Sequence, residues 1–174
     1  TDAELSAIAA DTIWWNNTTT YILDGFVFVS SGKVLMIEAG TIIQGQPGTG
    51  SDASALIVAR GAKVFAEGTS TNPIIFTYEG DNGGTEATQR ALWGGLIVLG
   101  NASLNSELGE TQIEGIPTSE TRGLYGGSVD TDNSGTIKYV RIEFAGIALE
   151  PNKEINGITF GSVGSGTTVD YVQV

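Results

Sequence analysis

The chain has 174 residues, enough for one domain with a sizeable core, and its 20 acidic and 8 basic side chains give a net charge of −12. It contains no histidine and no cysteine, which excludes Ser-His-Asp and Cys-His catalysis, disulfides and zinc sites built from these residues. The acidic surface repels phosphate backbones, so we expect no nucleic-acid partner, and it favours divalent cations. The longest apolar runs, 56–59 and 96–99, are far shorter than the ~20 residues that span a membrane.

The predicted elements begin with one short helix and continue as strands. Residues 2–10 are rich in helix formers with acids in the first turn, which predicts a capping helix or a flexible tail over residues 1–11. From Thr12 onward, short segments rich in Ile, Val, Thr and aromatic residues alternate with Gly, Asn, Ser and Pro. The predicted strands are 21–29, 34–38, 41–44, 55–58, 63–66, 74–78, 96–99, 136–144, 158–160 and 168–174. Strands without intervening helices predict an all-β protein.

Internal repeats distinguish among the all-β architectures. Residues 31–41 are echoed by 60–69 at a spacing of 29 to 30 residues, and residues 136–142 are echoed by 168–174 at a spacing of 32. Self-similarity at this period is typical of a solenoid, in which each coil buries its apolar face against the next. We therefore predict a right-handed parallel β-helix of about five to seven coils, as one domain over residues 1–174. The alternative is a β-sandwich, whose strands recur about every ten residues.

Five stretches also carry a resemblance to a known family. They read IEAGTIIQG at 37–45, ALIVARGAK at 55–63, WGGLIVLGNA at 93–102, IEGIP at 113–117 and NGITF at 156–160. In these stretches the chain resembles secreted, surface-exposed right-handed parallel β-helix proteins of Bacteroidota, similar to cargo of type IX secretion, over roughly residues 14–174. The resemblance implies the fold and an extracellular or outer-membrane-associated cell-surface location. It supplies no catalytic residues.

The clearest local site signal is an acidic turn at residues 130–135. Asp130, Asp132, Asn133 and Ser134 place closely spaced oxygens ahead of a glycine, as in the first half of an EF-hand calcium loop. The second half of that loop is missing, because its twelfth position is Arg141 and a strand follows instead of a helix. The turn therefore predicts either a calcium site, the one cofactor the sequence suggests, or a solvated connection between coils.

Two longer connections could carry function. Residues 101–131 lack strand character and are too long for an ordinary connection, so we expect an excursion from the solenoid. Ile113, Ile116 and Leu124 are the residues expected to anchor it flat against the flank. Its acidic residues could serve glycoside hydrolysis, but sequence spacing does not give the separation that this mechanism requires. Residues 80–86 form a second acidic, glycine-rich loop, and it lacks the Gly-Lys-Ser/Thr of a phosphate-binding loop.

Two functions of different classes remain open. The first is a non-enzymatic surface protein, a rigid scaffold for adhesion, ligand binding or assembly with a glycan or protein partner, which fits the scarcity of catalytic groups. The second is a carbohydrate-active enzyme, either a polysaccharide lyase or a glycoside hydrolase, by analogy with other β-helices. A lyase needs a basic group beside its calcium, and Arg122, Lys138 and Arg141 are nearest in sequence to the acidic turn. The net charge opposes the uronate substrates of such enzymes, so the sequence favours the first function.

The tryptophans and the chain ends carry the remaining expectations. Trp93 lies beside an apolar run and is expected in the core, whereas Trp14 and Trp15 are adjacent in a strand, so one of them should face outward. A solenoid leaves strand edges open at its ends. At the N-terminus we expect Leu5, Ile8, Ile13 and Trp14 to cover the first coil. At the C-terminus the last strand has no cap, so we expect a longer solenoid or another chain to continue or cover it.

Overall fold

The computed structural model describes residues 1–150 and 153–174, and it is dominated by short strands after one N-terminal helix. The helix α1 spans Asp2–Ser6. The strands are β1 (Thr12–Trp15), β2 (Thr20–Leu23), β3 (Phe26–Val29), β4 (Val34–Ile37), β5 (Ile42–Gly45), β6 (Ala55–Val58), β7 (Lys63–Glu67), β8 (Ile74–Tyr78), β9 (Gly95–Leu99), β10 (Thr111–Gln112), β11 (Leu124–Tyr125), β12 (Gly135–Ile142), β13 (Ile147–Glu150), β14 (Lys153–Ile155), β15 (Ile158–Gly161) and β16 (Thr168–Gln173).

Most of these strands form three parallel faces wound around one axis. On the first face β1, β4, β7, the first half of β12 and β16 pair in that order. On the second face the order is β2, β5, β8 and the second half of β12. On the third face it is β3, β6, β9 and β15. Each strand thus pairs with its equivalent in the next coil, which confirms the parallel β-helix and excludes a sandwich of antiparallel sheets.

The described residues form four complete coils, and β16 begins a fifth. This is fewer than the five to seven coils predicted. The reason is that residues 79–94, 100–134 and 143–157 leave the coils as excursions between consecutive strands.

The interior is a stack of branched aliphatic and aromatic side chains from all three faces. Ile37, Ala66 and Ile137 stack on the first face, and Ile43 and Phe76 on the second, all at most 4 % exposed. Trp93 is fully buried in the same cluster, as its apolar neighbours predict. In-register stacking lets each coil bury an apolar face that it could not bury alone.

The third face differs from the other two because both surfaces of its middle strands, β6 and β9, are buried. The outward side chains of its strands, among them Phe28, Ile57 and Ile97, belong to a second apolar cluster. The 100–134 excursion, with its antiparallel pair β10 and β11, contributes Ile113 and Ile116 to this cluster. The antiparallel pair β13 and β14 contributes further side chains. The anchors expected at 113 and 116 therefore do pack against the flank, whereas Leu124 is only half-buried.

Where the first face turns into the second, the later coils bend within a single strand. β12 pairs with β7 through its first half and with β8 through its second half, and Tyr139 lies between them with φ of +49°. Tyr171 takes the same left-handed conformation in β16, with φ of +51°. In the preceding coil the same corner is a six-residue connection, 68–73.

The N-terminal helix covers the first coil, but not with all of the residues expected to do so. Thr1 and Glu4 form a capping box, and Leu5 packs into the main core with Ile13. Ile8 is 37 % exposed and lines a hollow with Leu5 and Trp15. Trp14 does not cover the coil, and the expectation for it is wrong. Strand alternation turns Trp14 outward, 68 % exposed, between the buried Ile13 and Trp15. In the part of the chain that the structure describes, no helix is long and apolar enough to cross a membrane.

Candidate functional site

A cleft of about 490 Å³ lies on the outer surface of the second face. Its floor is the end of β12 and the residues after it, from Arg141 to Ala145. One wall is the connection between β8 and β9, which contributes Asp81, Thr85 and Arg90. Gln173 and Val174 lie along the opposite side. The glycine-rich loop singled out in the sequence is therefore part of a cleft wall.

The β-helix register explains why polar groups converge here. Thr20, Ile42, Ile75, Arg141 and Gln173 occupy one outward row of the second face. The row is apolar in the second and third coils, and its charged and amide side chains come only at β12 and β16. In a parallel sheet, neighbours in such a row lie about 4.8 Å apart, so Arg141 and Gln173 form adjacent parts of one surface.

Asp81 fixes the loop wall through hydrogen bonds to its carboxylate. Thr77 donates its hydroxyl at 2.7 Å, the Gly83 amide donates at 2.9 Å and the Thr85 hydroxyl donates at 3.2 Å. Partial burial disfavours the charged form, but these three hydrogen bonds outweigh it and hold the pKa of the Asp81 carboxyl below its usual value. The loop is therefore built around an ionised aspartate.

Aromatic packing fixes the floor. The buried Trp93 indole donates from Nε1 to the Glu143 carbonyl at 2.9 Å, and its ring stacks with Phe76 at a centroid distance of 6.5 Å. The Leu92 amide donates to the Phe144 carbonyl at 2.9 Å. Phe144, with φ of +57°, meets Tyr78 edge to face at 5.8 Å. The segment that carries Glu143 is thus held to the loop wall by side chains as well as by backbone.

Arg141 is the central charged group of the cleft. Its Nη2 atom lies 2.5 Å from Oε1 of Glu143, while its Nε is shielded from solvent and has no hydrogen-bond partner. Arg90 on the facing loop is exposed and has no ion-pair or hydrogen-bond partner among the described residues. The chain has only four arginines, and two of them line this cleft. Guanidinium donors suit carboxylates and other planar or multiply hydroxylated acceptors.

The four residues of the predicted calcium turn lie at the other end of β12, away from this cleft. Asp130 accepts from the Ser103 amide at 2.9 Å, and this contact holds the pKa of its carboxyl below the usual value. Asp132 accepts from the Asn101 amide at 3.1 Å and from the Ser134 hydroxyl at 3.3 Å. The Asn133 side chain accepts from the Gly135 amide at 2.8 Å.

The turn therefore closes the 100–134 excursion by joining its end to its start. Across residues 1–150 and 153–174 there is no group of three or more acidic side chains placed to hold a metal ion. The structure also separates the basic residues that a calcium-dependent lyase would need beside the turn. Arg141 lies at the far end of β12, and Arg122 pairs with Glu120 and Asp2. Calcium binding at the turn stays a prediction.

The sequence does not predict that Arg141 and Arg90 line one cleft. In the sequence, Arg141 is notable only for its nearness to the calcium turn, and Arg90 carries no signal of its own. The one available clue was the unusual length of the connection that contains residues 80–86, since long connections on rigid scaffolds carry sites. The pairing of β8 with β12, whose paired residues are 66 positions apart, brings the two arginines to one face.

The fold and this cleft define the class of protein: a parallel β-helix with a polar cleft on an outer face. The chain belongs to the family described as the pectate-lyase-like β-helix domain, whose model matches residues 7–174. Neither the comparison with curated proteins nor that with solved structures gives a match.

Proposed function

We propose that this protein is a non-enzymatic, extracellular or cell-surface β-helix that binds a carboxylate-bearing glycan in the cleft at Arg141. The observation that carries the proposal is the pair of arginines in the cleft, with Arg90 unpaired and the Nε of Arg141 without a partner. The rest of the lining offers hydroxyl and amide groups from Thr85, Gln89 and Gln173, which suit sugar hydroxyls. Pectate, the polymer in the family's name, is a polymer of such acidic sugars.

The net charge of the chain does not prevent this binding. Charges more than about 8 Å apart are largely screened at physiological ionic strength. The arginines contact the ligand directly, and the two carboxylates that line the same cleft, Asp81 and Glu143, already have partners inside the protein. The ligand carboxylate therefore meets donors whose charge is only partly neutralised.

The same contacts favour binding over catalysis. A glycoside hydrolase needs one carboxyl group that is protonated near neutral pH and can serve as the general acid. Three hydrogen bonds hold Asp81 in its ionised form. Glu143 forms an ion pair with Arg141. A polysaccharide lyase is the second candidate, because the cleft presents an arginine that could act as a base and the family is pectate-lyase-like.

The test is calorimetric titration with oligogalacturonates and with carboxyl-reduced oligosaccharides of the same length. We expect the acidic ligand to bind and Arg90→Gln to weaken it roughly tenfold, the size of one lost charged hydrogen bond, without affecting the neutral ligand. Lys63→Gln, on the first face, is the matched control for loss of one positive charge. Equal binding of both ligands, or equal effects of Arg90→Gln and Lys63→Gln, would refute the proposal.

The enzymatic candidate is tested on the same samples. A lyase releases unsaturated uronate products that absorb in the ultraviolet, with or without added calcium. Product formation that is abolished by Arg141→Gln would replace the binding function with a lyase. The proposed location is tested in the source cells by surface proteolysis, which should remove the protein from intact cells.

A further inference from the structure

A second cleft, of about 300 Å³, adjoins the first one across the outer surface of β12 and β16. Arg141 and Gln173 line both clefts. The remaining lining of the second cleft is the stacked pair Tyr139 and Tyr171 on one side and the 69–73 connection on the other. We infer that this tyrosine corner is a second sugar subsite, so that the ligand is an oligosaccharide that crosses Arg141 and Gln173. This inference rests on the proposed function.

The backbone at the corner does not by itself require tyrosine. Tyr139 and Tyr171 both lie in the left-handed region, with φ of +49° and +51°. Bulky residues rarely adopt this conformation, whereas glycine and asparagine adopt it readily. Strain of this kind concentrates at functional sites. Two tyrosines placed where asparagine would serve the fold better therefore point to a role for the rings themselves.

The rings form an ordered and accessible surface. They stack with centroids 4.5 Å apart and planes 2° from parallel, and Tyr171 is 62 % exposed. Both rings already make a cation–π contact within the protein, because Nζ of Lys138 lies 5.7 Å from the Tyr139 centroid and 5.6 Å from the Tyr171 centroid. An aromatic ring with a polar hydroxyl and neighbouring hydrogen-bonding groups suits a ligand with apolar C–H faces and polar edges. A sugar ring has this character.

The two clefts adjoin along the second half of β12, which begins at the bend at Tyr139. Tyr139, Arg141 and Glu143 are alternate residues, and four residues of strand span about 13 Å. This length exceeds a single hexose, so a ligand that reaches both the tyrosine corner and Arg90 must contain several linked sugars. A monosaccharide bound between Arg141 and Arg90 would leave the corner empty.

The inference predicts a dependence on ligand length that Tyr171 controls. We would titrate the whole chain with oligogalacturonates of one to six residues and compare Tyr171→Asn with Tyr171→Phe. For the wild-type protein we expect affinity to rise with length and then level off once both clefts are filled. Tyr171→Asn should weaken the long ligands roughly two- to tenfold and leave the shortest ones unchanged, while Tyr171→Phe keeps the ring and the affinity. Because asparagine tolerates the left-handed conformation, the variant should melt no lower than wild type.

The outcomes separate this inference from the proposed function. If short and long ligands bind the wild type with the same affinity, or if Tyr171→Asn weakens neither or both equally, the corner is not a sugar subsite and the Arg141 cleft stands alone. Binding of a peptide library at the corner, with no change in sugar affinity, would likewise overturn it. If no oligogalacturonate binds at any length, the proposed function itself is wrong.

Discussion

At the scale of single residues, Arg122 joins three separate parts of the molecule. Its Nε donates to Oε1 of Glu120 at 2.9 Å, and its Nη1 donates to Oδ1 of Asp2 in α1 at 3.1 Å. The guanidinium also lies 4.0 Å from the centroid of the buried Phe28 ring on β3. These contacts raise the pKa of Arg122 and lower that of Glu120. The N-terminal helix, the third face and the long excursion are thus connected by one planar group.

Arg122→Lys should therefore destabilise the protein although it keeps the charge. Lysine cannot reproduce the fork of donors or the stacking on Phe28, so we expect the free energy of unfolding in urea to fall by about 1–3 kcal/mol. Arg90→Lys makes the same change at an exposed arginine without partners, and should stay within about 0.5 kcal/mol of wild type. Equal losses in the two variants would contradict the role of Arg122.

Asp81 gives the cleft wall a dependence on pH. Its pKa is depressed in the folded state, so its contribution to stability is complete at neutral pH and is lost as the pH falls below about 4 through the folded pKa. We expect acidification to lower the melting temperature and to increase amide exchange in residues 79–94. Asp81→Asn should flatten this dependence, whereas Glu107→Gln, at an exposed glutamate with no hydrogen-bond partner among the described residues, should not. A wild-type melting temperature constant from pH 6 to pH 3 would show that the loop does not need the ionised carboxylate.

At the scale of elements, the third face shows how the excursions complete the core. A strand with one solvent-exposed surface alternates apolar and polar residues, whereas a strand buried on both surfaces is apolar throughout. β6 (Ala55–Val58) and β9 (Gly95–Leu99) are of the second kind, and every one of their residues is buried. The excursions supply the cover through Ile113, Ile116, Ile147 and Ile155. The 100–134 and 143–157 connections are therefore structural on the third face, while the 79–94 connection forms the cleft on the second.

The acidic turn of residues 130–134 is the element at which calcium binding remains to be tested. If Asp130 and Asp132 bind calcium in addition to the amides they now accept from, millimolar calcium should raise the melting temperature relative to chelator, because the ion binds only the folded state. Asp130→Asn should reduce that rise, and Glu107→Gln should leave it intact. An identical melting curve in calcium and in chelator would remove the metal from this turn.

At the scale of the whole molecule, the coils form a nearly one-dimensional array whose stability depends on neighbouring coils. The first coil has a neighbour on one side only, and α1 covers part of the other side through Leu5. Lys33 holds the segment after the helix by donating from Nζ to the carbonyl oxygens of Ile8, Ala9 and Ala10, at 2.9–3.2 Å. The N-terminal segment therefore acts as a cap on the solenoid.

Loss of this cap should loosen the array from one end. Leu5→Ala should destabilise the protein by about 2–4 kcal/mol and should first increase hydrogen exchange in β1, β2 and β3. Leu108→Ala is the matched control, since Leu108 is 71 % exposed and its truncation should cost less than about 1 kcal/mol. Exchange that rises uniformly over all coils in Leu5→Ala would show that the array unfolds as a single unit.

The sequence by itself determined the coil architecture, because repeats near 30 residues and alternating apolar positions leave few other ways to bury the core. It placed Trp93 inside and required one of Trp14 and Trp15 to face outward, since strand alternation follows directly from local geometry. Only the tertiary structure decided the number of coils, the burial of both sides of the third face and the meeting of Arg90, Arg141 and Gln173 in one cleft. Those features depend on where excursions fold back and on which strands pair across 32 to 71 residues of sequence. Local propensity carries no information on such contacts, and the left-handed corners at Tyr139 and Tyr171 contradict it outright.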